Sequence, residues 1–253
     1  MNVLGVGVSA INMRQAMSTL ALWIATGARK YVCVTGVHGV MECQRDPELR
    51  KIHNSAGMVT PDGMPLVWLG KLTGHSAMTR VYGPDLMLAS CGYDATPPHR
   101  HYFFGGSPGV TQRLATRLVA KNPSLVICGM SSPPFRNLTA EEDADVVRQM
   151  NAAKPDIVWV GLGTPKQERW MAAHRGAIDA PVMIGVGAAF DFLSGAKRQA
   201  PVWMQRGGFE WLFRLAAEPR RLAGRYLINN PLFIAQVTLQ KLGLLRFDLD
   251  GAP

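Results

Sequence analysis

Apolar residues return at four-residue steps through Ala16, Leu20 and Ile24, so Ile11 to Gly27 reads as an amphipathic helix that stops at the glycine. Tyr31 to Thr35 is a short β-rich run, and His101 to Phe104 is a second one ending in Gly105-Gly106. Val110 to Lys121 follows as a helix, and Ser124 to Cys128 as a third strand. Thr139 caps a helix reaching to about Ala153, and its acidic start, Glu141 and Glu142, matches the positive end of the helix dipole. Asp156 to Gly163 is a strand, Pro165 to Arg175 a helix, and Pro181 to Val186 a strand closed by Gly187. Strands alternating with helices predict an α/β fold, a parallel sheet with helices on both faces. Ligands of such sheets bind beyond the carboxyl ends of the strands.

The pattern changes after Gly195. Pro201 opens a segment carrying Trp203, Phe209, Trp211, Phe213 and several arginines. Pro231 is expected to interrupt it, and Leu232 to Leu245 reads as a helix with one apolar side. The expected division is an α/β domain over residues 1–196 and a basic, aromatic-rich helical appendage over 197–253.

The most informative stretch is Val158-Trp-Val-Gly-Leu-Gly-Thr-Pro-Lys-Gln-Glu-Arg-Trp170. An apolar run breaks at Gly161 and Gly163 and restarts as a polar helix, with Thr164 as N-cap, Pro165 at the first helical position and Gln167 three residues after the cap. A strand, a glycine turn and a helix N-terminus in that order aim backbone N–H groups at an anion, and Lys166 adds a positive charge. The same residues also suit an ordinary capping box, and locally the two readings are evenly matched.

Composition narrows the classes. A hydrophobic content of 47% suits a globular chain with a real core. Cys33, Cys43, Cys91 and Cys128 form no CxxC pair, so they read as reduced thiols and zinc is not expected. Neither a secretory leader nor an apolar run of about 18 residues is evident, so a cytoplasmic location is expected. The net charge of +9 is uneven: Lys197 to Arg246 holds nine basic residues against Glu210 and Glu218, a net of +7. A basic, aromatic end fits an acidic partner, whether nucleic acid, diphosphate or an anionic membrane surface.

Candidate chemistry lies at turns. In Thr60-Pro-Asp-Gly-Met-Pro65, Asp62 projects from a rigid loop, either as a plain Pro-Asp-Gly turn or as a general base. His38 leaves the strand end after Thr35 and is either a satisfied loop histidine or a site residue. Arg80-Val-Tyr-Gly-Pro-Asp85 joins a cation, Tyr82 and a carboxylate that also suits a helix cap, and Asp191 has the same ambiguity. Asp143-Ala-Asp145 matches a metal-binding DxD, but residues two apart on a helix diverge, so no metal is inferred.

Arg45-Asp-Pro-Glu-Leu49, Thr60-Pro-Asp-Gly63, Arg80 to Asp85, Gly161 to Glu168, Gly185-Val-Gly-Ala-Ala-Phe-Asp191, Ala200-Pro-Val-Trp-Met-Gln205, Glu210-Trp-Leu-Phe-Arg214 and Glu218-Pro-Arg-Arg221 occur in one order. Together they resemble the WecG/TagA/CpsF family of bacterial glycosyltransferases, from about Leu4 to Pro231. The resemblance implies a Rossmann-like catalytic domain that moves a sugar from a UDP-sugar to a polyprenyl-diphosphate-linked acceptor, without a cofactor. It places Asp62 on the general base, Thr35 in the substrate pocket and Gln167 in the nucleotide-sugar pocket. It links the C-terminal arginines, Arg214, Arg220 and Arg221, to diphosphate binding and to docking on the inner face of the cell membrane. Many relatives carry asparagine where this chain reads Gly36-Val37-His38, so His38 takes over a sugar contact or the donor sugar differs. Exopolysaccharide assembly is the preferred pathway.

Rival functions are weaker. A nicotinamide enzyme lacks an early G-x-G-x-x-G with an acid about 20 residues on. No nucleic-acid motif accompanies the basic tail. A non-catalytic scaffold of a polysaccharide complex is opposed by the intact Asp62 and Gln167. The apolar appendage surface is open to two uses, lipid contact or a homo-oligomer.

Overall fold

The computed structural model describes residues 1–93 and 95–249. Its elements run β1 (Asn2–Val3), β2 (Val6–Gly7), α1 (Met13–Thr26), β3 (Lys30–Thr35), α2 (Val37–Arg45), α3 (Pro47–Asn54), β4 (Met58–Pro61), α4 (Met64–Leu72), α5 (Gly83–Cys91) and β5 (Arg100–Gly105). They continue as α6 (Val110–Lys121), β6 (Val126–Ser131), α7 (Ala140–Ala153), β7 (Ile157–Gly161), α8 (Lys166–His174), β8 (Val182–Gly185), α9 (Ala189–Leu193), α10 (Val202–Arg206), α11 (Glu210–Ala217) and α12 (Pro219–Lys241). Six strands form a sheet in the order β4-β3-β8-β7-β5-β6, the α/β fold expected from the alternation of strands and helices. By internal contacts the chain groups into two compact units. The first holds Met1–Met13, Val34–Tyr82 and the chain from Gln199; the second holds Arg14–Cys33 and Gly83–Arg198.

The second unit is built on parallel pairs: β3 with β8 from Lys30↔Val182 to Cys33↔Gly185, β8 with β7, β7 with β5 and β5 with β6. Ile157 to Val160 are almost wholly buried, as are Tyr102, Phe103 and Phe104, which explains why these strands read as unbroken apolar runs. Phe103 meets Phe190 edge-on at 6.0 Å. Each such buried side chain contributes about 1.5–3 kcal/mol. α7 begins with the capping box expected at Thr139, whose hydroxyl accepts from the Glu142 N–H while the Glu142 carboxylate accepts from the Thr139 N–H. Strand β6 lies two residues later than the apolar run Ser124 to Cys128 suggests, because Asn122 to Leu125 close a turn after α6.

In the first unit, α3 ties down the β1–β2 hairpin. The Asn54 amide accepts from the Gly7 N–H and donates to the Gly5 carbonyl, both at 2.8 Å. Asp46 caps α3 by accepting from the Leu49 N–H at 3.0 Å. α12 packs on α2 and α11. It runs through Pro231 without a break, contrary to the interruption expected from sequence. A proline removes the bond to the carbonyl four residues back, here Leu227, whose side chain is 62% exposed on the solvent side where water can serve that carbonyl. Buried Leu222, Asn229 and Phe233 anchor the other side of the helix.

Candidate functional site

The first unit gathers its chemistry at the ends of two strands. Thr35 closes β3, and its hydroxyl is buried without a hydrogen-bond partner. Its carbonyl accepts the Asp62 N–H at 2.9 Å, which fastens the residue after β4 to the end of β3. A Cβ on Gly36 would lie 3.7 Å from Asp62 Oδ2, so the turn into α2 passes close beside this carboxylate. Thr60, two residues before Asp62 in β4, also buries a hydroxyl with no partner.

Gly36 and Asp62 border a cavity of about 540 Å³. His38, Asp62, Arg80, Glu210, Arg214 and Arg225 give it a charged and polar part. Trp68, Leu72, Phe209, Phe233, Ile234 and Val237 give it an apolar part. Trp68, Leu72, Phe209 and Ile234 stay exposed, so the apolar wall opens to solvent. A cavity of this volume fits a small-molecule site, and its mixed lining suits an amphiphile with an anionic head.

Arg80 is held on every side. Nε donates to the Asp62 carbonyl, Nη2 to Glu210 Oε2 at 2.5 Å and Nη1 to Gln205 Oε1 at 3.4 Å, while the guanidinium lies 3.8 Å over the Tyr82 ring. The Tyr82 hydroxyl donates to Glu210 Oε1 at 3.1 Å. Burial works against the charge on Arg80, but Asp62 and Glu210 outweigh it and raise its pKa. Burial, then Glu210 and Asp62, also pushes the Tyr82 hydroxyl up, so it remains a donor.

His38 is neutral at ordinary pH: burial, then Arg225, Arg45 and Arg214, lowers it to about 4. Arg45 Nη2 donates to Asn229 Oδ1 at 2.5 Å, which turns the Asn229 amide N–H₂ toward His38 Nδ1 at 3.5 Å. The Glu42 carboxylate also lies near Nδ1, at 3.7 Å. Burial, then Arg221 and Arg214, lowers Arg225 as well.

In the second unit, the Gly161 to Gln167 turn spends its polar groups on itself. Gln167 is 2% exposed; its Oε1 accepts from the Gly163 N–H at 3.1 Å and its Nε2 donates to Glu168 Oε1 at 3.0 Å. The sequence suggests Thr164 as N-cap, but α8 starts one residue later with Pro165 in the cap position, and the Thr164 hydroxyl donates to Glu168 Oε1 instead. Gly163 has φ +78, a conformation that side chains disfavour. Glu168 buries its second oxygen with no partner. Lys166 is exposed and reaches the Phe135 carbonyl at 3.4 Å, and Asp191 faces Lys197 at 3.4 Å.

Three further candidates lie on the surface. Asp85 is exposed in the first turn of α5, Arg220 is exposed, and Arg221 is exposed and pairs with Glu218 at 2.6 Å. The two aspartates of the DxD diverge, Asp143 to His174 and Asp145 to Arg148. Sequence reading missed Arg225, Asn229 and Glu210. The signal was present: Arg221, Arg225, Asn229 and Phe233 recur at four-residue steps, a helical face hidden by treating Pro231 as an interruption.

A family model described as Glycosyl transferase WecG/TagA/CpsF family matches residues 1–246. The chain belongs to that family. Among its relatives, the N-acetylglucosaminyldiphosphoundecaprenol N-acetyl-beta-D-mannosaminyltransferase of Bacillus subtilis (strain 168) is 29% identical over 177 residues, 70% of this chain and 67% of the relative. The protein of the same name from Bacillus spizizenii is 28% identical over 196 residues, 78% of this chain and 74% of the relative. That from Staphylococcus aureus (strain NCTC 8325 / PS 47) is 29% identical over 189 residues, 74% and 71% respectively. Glycosyl transfer is thus the chemistry of the family to which Asp62 and its cavity belong. No described helix is long and apolar enough to cross a membrane.

Proposed function

We propose that this glycosyltransferase moves a sugar from a UDP-sugar to a polyprenyl-diphosphate-linked glycan in bacterial exopolysaccharide or other cell-surface polysaccharide synthesis. The observation that carries this reading is the lining of the cavity, where Asp62, Arg214 and Arg225 share one space with the apolar wall of Trp68, Phe209, Phe233 and Ile234. A lipid diphosphate needs both parts: guanidinium forks for its oxygens and apolar surface for its first prenyl units. The relatives' names specify a sugar-diphosphoundecaprenol acceptor, which has this chemistry.

In the proposed reaction an Asp62 carboxylate oxygen takes the proton of the acceptor's sugar hydroxyl. That oxygen attacks the anomeric carbon of the donor, the carbon–oxygen bond to UDP breaks, and UDP leaves with the electron pair. Thr35, with its unspent buried hydroxyl, contacts substrate. His38 contacts a sugar oxygen from the cavity wall. Arg214 and Arg225 bind diphosphate, and their charge offsets the negative charge that builds on the leaving group. Gly161, Gly163, Pro165, Lys166 and Gln167, with Asp191, are assigned to the donor. The exposed apolar and basic surface of α12, including Arg220 and Arg221, is assigned to the anionic inner face of the membrane.

The test is a panel of UDP-sugars with a short-chain polyprenyl-diphosphate sugar, with and without EDTA, scored by UDP release and by the mass of the glycolipid product. One donor should give a product heavier by one sugar in both conditions. UDP release without any glycolipid product from the whole panel would reject the acceptor.

A further inference from the structure

We infer that Glu210 is a positioning residue, which grips Arg80 and Tyr82 from α11 and through Arg80 fixes the loop that carries Asp62. The inference rests on the reading of Asp62 as the general base. The Asp62 loop has two backbone anchors: its N–H donates to the Thr35 carbonyl, and its carbonyl accepts from Arg80 Nε. The first anchor is part of the strand ends. The second depends on a long side chain, whose rotamers must be restrained for the bond to hold a fixed geometry.

Glu210 supplies that restraint. Its two carboxylate oxygens are divided between Arg80 Nη2 and the Tyr82 hydroxyl, and Tyr82 in turn lies flat under the guanidinium. The side chains of Arg80 and Glu210 are only 16% and 13% exposed, so water competes weakly for the pair. Gln205 of α10 adds a weaker contact to Nη1. All three Arg80 nitrogens are engaged inside the protein, so the guanidinium is held in place beside the base.

The grip also has an electrostatic effect. Asp62, Arg80, Tyr82 and Glu210 form one group, with His38, Arg214 and Arg225 also lining the cavity. Asp62 and Glu210 share the Arg80 charge, and both raise its pKa.

The test compares full-length wild type, Glu210→Gln and Glu210→Ala, with Asp62→Asn as control. Backbone hydrogen exchange over residues 60–66 is expected to quicken about tenfold in Glu210→Ala and less in Glu210→Gln, with α6 unchanged. In the transfer assay kcat should fall about 10²-fold in Glu210→Ala, with KM for both substrates within about twofold. Unchanged exchange in the Asp62 loop of Glu210→Ala would overturn the inference, as would a KM rise that accounts for the whole loss. If Glu210→Ala does not fold, the same criteria apply to Glu210→Gln. If Asp62→Asn transfers sugar as wild type does, the general-base reading fails by itself, and the exchange result still decides whether Glu210 holds the loop.

Discussion

Two strand-end regions, one in each unit, carry most of the residues that stand out in the sequence, and they pair their polar groups to different degrees. After β7, Gln167, Thr164 and the Gly163 N–H bond to one another and to Glu168, so the turn is largely closed on itself. After β3 and β4, Thr35 and Thr60 bury hydroxyls with no partner, and Asp62 stands beside a cavity. Leaving a buried polar group unmade costs about 1–3 kcal/mol, a cost a fold tolerates where a ligand supplies the partner. The motif after β7 pairs most of its polar groups but leaves Glu168 Oε2 without a partner, whereas the strand ends around the Pro-Asp-Gly turn leave two hydroxyls without one.

The strongest attempt to break this contrast is Asp62→Asn. The substitution preserves shape and should leave thermal stability within about 0.5 kcal/mol of wild type, as is usual away from core packing. Transfer should fall by about 10²–10⁴-fold, the usual worth of a general base. Product formation at close to the wild-type rate in a glycolipid assay would end the assignment.

Acid provides a second probe, because in each unit a histidine is held neutral, His101 in the core and His38 beside the cavity. His101, in the second unit, is lowered to about 4 by burial and then by His99, and its Nδ1 accepts the Trp159 indole N–H at 3.0 Å. His38 is lowered to about 4 beside the cavity. Both folded values lie below the ordinary 6.5, so between pH 6.5 and 4 the unfolded chain binds the extra protons. Stability is therefore full above about 6.5 and is lost as pH falls toward 4, by at most about 3 kcal/mol for each histidine. Urea unfolding across that window should show the slope, and His38→Gln should remove only its own share. A slope that His38→Gln leaves intact would mean that His38 is solvated rather than desolvated.

Much of this architecture was legible in the sequence, for reasons that differ by region. The second unit announced itself because buried parallel strands such as Ile157 to Val160 are apolar on both faces and their helices have ordinary caps, as at Thr139. Asp62, Arg80 and Arg214 were found because they sit in motifs. α2 and α4 were not, since Gly39 and Gly70 lie inside them and weaken any helical pattern. Glu210 stood in the same motif as Arg214 but drew no role, and Arg225 lay outside the motifs; the meaning of both lies in partners far along the chain, Arg80 for the one and His38 for the other. The first unit is discontinuous in sequence, a grouping that a linear cut near residue 196 does not express.

Gln167→Ala tests the other half of the contrast. It removes a buried amide that accepts from the Gly163 N–H and donates to Glu168, leaving the Gly163 N–H unpaired and Glu168 Oε1 with the Thr164 hydroxyl alone. A loss of about 1–3 kcal/mol is expected in thermal unfolding, with whatever loss of transfer follows from a displaced turn. Restoring the turn should restore activity, so Gln167→Glu, which keeps the acceptor for the Gly163 N–H, should recover part of both. A Gln167→Ala protein of wild-type stability that no longer binds UDP would show that this amide serves the ligand directly and would dissolve the distinction between the two loops.

The smallest effect concerns the surfaces. Leu227 and Ile228, on α12 of the first unit, are 62% and 60% exposed, with exposed Arg220 and Arg221 on the same helix. Leu22, on α1 of the second unit, is just as exposed at 60%, so exposure by itself does not separate the units. What separates them is company: Leu232, Ile234, Leu242 and Leu244 continue the α12 surface, and an apolar stretch among cations gains both burial and attraction at an anionic bilayer. Leu227→Ser with Ile228→Ser should weaken partition onto phosphatidylglycerol vesicles by about tenfold, since roughly 1.4 kcal/mol of apolar burial is lost. Leu22→Ser should change nothing in the same flotation assay. Equal losses from both would mean that any exposed leucine suffices, and that the apolar wall of the cavity is no guide to where the lipid arrives.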